Sequence, residues 1–172
     1  HRAQRTAAPG PRRLLLLAAA RCARRVEPAE LSTATRAWLS SAVRAAWQSA
    51  SGPWRGCALR AMALSDDFDE LLVEALDETD EELLTTAFDA VAERGLSAAS
   101  ARAQQVIVDE SRALAVRTAA YRALLLTAPL IALRVAEAQR ERSDGFANFV
   151  RSLEADLVDA VLAAALPADT EP

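Results

Sequence analysis

Lysine is absent from this chain and histidine occurs once, at His1. Histidine-dependent acid–base catalysis, Ser-His-Asp relays and histidine-rich metal sites therefore have no residues to work with. The Glu-x-x-His pairs of di-iron carboxylate bundles are missing for the same reason. Glycine is scarce as well: five residues, scattered, make neither Gly-x-Gly-x-x-Gly nor Gly-x-x-x-x-Gly-Lys, so no phosphate cradle is encoded. The two cysteines, Cys22 and Cys57, form no Cys-x-x-Cys spacing, which argues against a zinc site or a thioredoxin-like motif. Buried thiols are the plain expectation, with one disulfide as the alternative in an exported chain. Long apolar runs are lacking too. Leu14 to Ala20 follows Arg12 and Arg13 and is closed at once by Arg21, a poor export signal, while Ala123 to Leu133 contains Pro129 and is too short for a bilayer. The expectation is a soluble, cytoplasmic chain with no transmembrane segment, no cofactor and no metal.

What is present is alanine, 41 of 172 residues, within a hydrophobic content of 52% of which aromatics supply little. Such a composition favours helix. All 20 basic residues are arginine, and with the alanine excess this points to a GC-rich, bacterial genome. The net charge of −4 conceals an asymmetry: residues 1–60 carry eleven arginines against Glu27 and Glu30, or +9, and the remainder carries nine arginines against 22 acids, or −13. Halves of opposite sign can attract one another within a fold or between copies, or the basic half can meet a polyanion.

Along the chain, residues 1–13 carry Pro9, Gly10 and Pro11 among arginines and read as a flexible basic arm. A basic helical extension follows over 14–61: a short helix from Leu14 to Val26, ended before Pro28, then an amphipathic helix from about Ala29 to Ser49. The latter sets Leu31, Trp38, Leu39, Ala42, Val43, Ala46 and Trp47 on one stripe. Residues 49–56 read as a turn-rich break. Met62, the only methionine, opens a segment that resembles the start of a reading frame. Two readings stand: translation beginning at Met62, or one continuous chain, which the intact mass of the natural product distinguishes.

An acidic helical core is expected over 62–166. Asp66, Asp67, Asp69 and Glu70 suit a helix N-terminus, Thr79 and Glu82 have capping-box spacing, and Gly95 stands where a helix stop belongs. Further helices are expected from Ala98 to Arg117, from Thr118 to Arg142 with an interruption near Pro129, and from Phe146 to Leu166. Val106-Ile-Val keeps a short strand as a minor alternative. A disordered tail fills 167–172. The fold class is all-α, an irregular bundle of six or seven helices.

Twelve acids and no base lie between residues 66 and 93, and Asp77, Thr79 and Glu81 have the alternation of a calcium loop. Glu82 occupies the place of the required glycine and Phe88 that of the bidentate acid, so the pattern fails and a solvated helix surface is expected. In the basic segment, Trp38, Trp47 and Trp54 are the candidate interface residues. Arg2, Arg5, Arg12, Arg13, Arg36 and Arg44 are the candidate polyanion contacts.

The run Tyr121-Arg-Ala-Leu-Leu-Leu-Thr-Ala-Pro-Leu-Ile-Ala-Leu-Arg134, preceded by the acidic Leu-Leu helices between Leu71 and Asp89, resembles an uncharacterised β-proteobacterial protein family of unknown function. The likeness spans about residues 66–166 and departs from the family in lacking a tryptophan after Ala132. It implies a bacterial cytoplasmic setting and no catalytic residues. The functional expectation is a non-catalytic interaction or scaffold protein that self-associates or binds a protein partner. The alternative is a small regulatory protein binding nucleic acid through the arginine-rich N-terminal segment.

Overall fold

A computed structural model describes residues 32–48, 52–63 and 66–165. The expected basic arm over 1–13, the Leu14 to Val26 helix, Cys22 and the tail over 167–172 lie outside the described residues. No strand occurs among those described, and Val106 to Val108 is helical. Among the described residues there are nine α-helices and three single-turn 3₁₀ segments, against six or seven helices expected for the chain. The chain divides into two compact units, 1–68 and 69–172.

In the first unit, α1 (Thr33–Trp47) packs on α2 (Gly52–Met62), and a 3₁₀ turn, Asp66–Phe68, follows. Leu39, Val43 and Trp47 recur at helical spacing and are buried, as are Cys57, Ala58, Leu59, Ala61 and Met62 of α2. Gly52 to Gly56 is thus the first turn of a helix and not a break. Pro53 explains why: near a helix start its missing N–H costs nothing and its fixed φ suits the turn.

The second unit holds α3 (Asp69–Glu74), α4 (Glu81–Arg94), α5 (Ser100–Val108), α6 (Leu114–Thr127), α7 (Pro129–Gln139), α8 (Gly145–Ser152) and α9 (Glu154–Ala165), with 3₁₀ turns at Ala75–Asp77 and Ser97–Ala99. Helix α6 is the hub, touching α4, α5, α7, α8 and α9. Its sequence is apolar nearly all round, and Val116, Arg117, Ala119, Ala120, Tyr121, Ala123, Leu124 and Leu125 are all buried.

The extra helices arise where longer ones were expected. Ala98 to Arg117 is cut at Asp109, whose Oδ1 accepts from the N–H and hydroxyl of Ser111, an Asx turn that competes with the helix. Thr118 to Arg142 is cut at Ala128, which leaves the α region ahead of Pro129, the first residue of α7. Phe146 to Leu166 is cut at Leu153 without glycine or proline. At α4 the cap is Asp80, one residue after the expected Thr79: its Oδ1 accepts from the N–H groups of Glu82 and Leu83. Gly95 closes α4 at φ 65°, donating to Ala92 O and, through the next residue, engaging Val91 O.

A Cβ added at Gly95 or at Gly52 meets nothing within 4 Å, and only Gly95 has positive φ. Gly95→Ala is therefore expected to cost about 1 kcal/mol through backbone strain alone. Gly52→Ala should be neutral or stabilising by up to about 1 kcal/mol. Urea denaturation of the two variants checks the contrast.

Candidate functional site

In the first unit the tryptophans expected to act together are separated. Trp47 is 8% exposed and lies under the guanidinium of Arg55, 4.2 Å from its ring, whereas Trp38 is 37% exposed. Nine residues at 100° each place the two half a turn apart, so they do not share the apolar stripe. Trp54 is half-buried. Arg44 is exposed at its head but engaged: Nη2 donates to Asp67 O at 3.2 Å, and the guanidinium sits 5.7 Å from the Phe68 ring. Arg36 belongs to α1, and Arg2, Arg5, Arg12 and Arg13 lie outside the described residues.

Arginine has a structural use in the second unit that composition did not suggest. Arg117 is buried, donates from Nε to Ile107 O at 2.9 Å and stacks 4.5 Å over Phe146. Ile107 lies in the last turn of α5, where a cation complements the helix dipole and an unpaired carbonyl needs a donor. Tyr121, one turn along α6, meets Phe146 and Phe149 edge to face at 6.1 and 6.4 Å, and Arg122 covers the Phe149 ring at 5.1 Å. The Tyr121 hydroxyl is fully buried and makes no hydrogen bond. Burial pushes its pKa up to about 12, so the phenol stays protonated at neutral pH.

Several of the acids hold the fold. Asp69 receives Arg94 at 3.1 Å, Asp77 receives Arg102 at 3.2 Å, and Glu81 accepts the Ala113 N–H at 3.0 Å. Arg142 joins Glu110 at 2.6 Å and Asp144 at 2.8 Å, while Asp144 Oδ1 caps α8 by accepting from Ala147 N–H. No group of three or more His, Cys, Asp or Glu among the described residues could hold a metal ion. An open cleft of about 520 Å³ lies between Asp69, Glu70, Val73 and the Gly95 to Ala98 turn. Its wall carries Asp69, which is paired with Arg94, together with Glu70 and Ser97.

The remaining feature is apolar surface. Leu126 and Leu130 flank the α6–α7 joint at 66% and 57% exposure, and Val158 and Leu162 stand one turn apart on α9, each more than half exposed. Helices α6, α7 and α9 pack on one another, so these side chains belong to neighbouring elements. Leu157, Val161 and Leu162 recur at helical spacing along α9. Leu157 is buried and Val161 half-buried, and Leu162 turns outward with Val158. The signal was the width of the apolar sector, wider than one packing face needs. No described helix is long and apolar enough to cross a membrane. Comparison with protein-family models, curated proteins and solved structures finds no match.

Tyr121→Phe removes a hydroxyl that bonds to nothing and is expected to leave stability unchanged or raise it by up to about 1 kcal/mol, whereas Arg117→Ala should cost about 2–4 kcal/mol. Equilibrium denaturation separates the two. The carboxyls of Asp109 and Asp144 are held below their usual 3.8, Asp109 by hydrogen bonds from Ser111 and Asp144 by the Ala147 N–H. A lowered folded-state pKa contributes stability above 3.8 that is lost as pH falls below it. Asp144→Asn, which keeps a cap acceptor, should therefore flatten part of the acid limb of a pH–stability curve.

Proposed function

We propose that this protein is a non-catalytic helical interaction module that self-associates or binds a protein partner. The observation that carries the reading is the set of exposed Leu126, Leu130, Val158 and Leu162 on three helices packed together. Four large apolar side chains on adjoining elements are what a protein-binding face requires, whereas single ones scattered over a surface need no explanation. The fate of the charged residues supports it further: the arginines and acids described above serve as caps, staples and ring covers. The arginine and alanine composition, and the resemblance noted above, support a bacterial cytoplasmic setting.

A second reading rests on the +9 charge of residues 1–60: nucleic-acid binding through the N-terminal arginines. It predicts an affinity for DNA or RNA that falls steeply with salt.

Sedimentation velocity over a wide concentration range tests the first reading. Association above the monomer mass is expected, and Leu126→Glu or Leu130→Glu should weaken it about tenfold, with thermal melting unchanged. A chain that stays monomeric and captures no protein, while binding nucleic acid in a salt-dependent manner, would transfer the function to the second reading.

A further inference from the structure

Only Leu153 separates α8 from α9. It lies at φ −105° and ψ 15°, beside the helical region of backbone space, and its N–H donates to Val150 O, three residues back, at 3.1 Å. The helical pattern resumes at once, with the Leu157 N–H on Leu153 O at 2.9 Å. No glycine or proline enforces the break, and Leu153 has no side-chain acceptor with which to cap the helix that follows. In one uninterrupted helix Phe146, Val150, Leu153, Leu157 and Val161 would fall at i, i+4, i+7, i+11 and i+15, a single apolar stripe through the joint. The hold on α9 is slight. Among the described residues Leu157 is its one fully buried side chain, and no side chain of α9 makes a hydrogen bond or ion pair. Its charged residues are Glu154, Asp156 and Asp159, with no base, and it packs mainly on α7.

We infer that Leu153 is a hinge through which α9 is exchanged between two copies of this chain: α8 and α9 join into one helix, and each α9 seats on α7 of the other copy. The fold itself names the occupant of that α7 face, because an exchanged α9 makes between chains the contacts that it makes within one chain. Those contacts cancel from the balance between monomer and dimer, which is left to the hinge and to the surfaces that the joined helices bring together. Straightening Leu153 restores the helical ladder and makes the apolar stripe continuous. Against this stands the lost freedom of two chains held as one, which concentration offsets. Ser152 supports the break in the monomer: its hydroxyl donates to Phe149 O at 2.7 Å, a local bond of the kind that competes with helix continuation.

This inference rests on the self-association reading and is tested on the full chain by sedimentation velocity. Leu153→Gly disfavours a helix through the joint, and with two joints in each dimer it is expected to weaken association by roughly tenfold or more. Ser152→Ala, at an exposed position, removes the competing bond and should strengthen association several-fold, with circular dichroism melting close to that of the parent. Leu157→Ala loses the same contact in monomer and dimer, so the association constant should hold nearly constant while subunits exchange faster between two differently labelled dimers. If the parent chain associates but neither hinge variant shifts the constant, or Leu157→Ala weakens association as strongly as Leu153→Gly, rigid faces associate: the exchange of α9 is wrong and self-association stands. If the parent chain is monomeric throughout, both readings fall.

Discussion

The second unit depends on the burial of α6. A helix surrounded by five others must present side chains that fit on every side, and its 14 residues include four alanines that let neighbours come close. The buried part of α6 leaves one difficulty, the charge of Arg117. It is met by the last turn of α5 and the face of Phe146, so the guanidinium ties three helices together without a carboxylate partner. The neighbouring Tyr121 extends the same contact to Phe149. Most other arginines of the unit work at its surface, on carboxylates or backbone carbonyls, where each contributes little alone.

Much of the architecture was legible in the sequence because its signals are local. Gly95 as a left-handed stop and the interruption before Pro129 both follow from backbone preference. The break at Leu153 has no such signal. Neither flanking residue is a helix breaker, and α8 and α9 each pack against both α6 and α7. Gly52 and Pro53 misled for the opposite reason: their local meaning is ambiguous, since a turn pair and a helix start use the same residues.

Surface features were harder to read. Trp38 and Trp47 are both large apolar residues on one helix, and only their angular separation shows that one faces inward and the other outward. The α9 residues posed a similar problem, because a broad apolar sector cannot say which part of it is packed. The absent histidine chemistry was the clearest message, and it came from composition alone.

The distribution of aromatic residues has a practical consequence. All three tryptophans lie in the first unit, and the single tyrosine, Tyr121, lies at the centre of the second. Indole fluorescence and phenol ionisation are separate optical signals, so the two units can be watched independently in one sample. Because burial holds the Tyr121 phenol protonated up to about pH 12, the appearance of tyrosinate absorbance at lower pH would mark opening of the second unit. Tryptophan emission would at the same time follow the first.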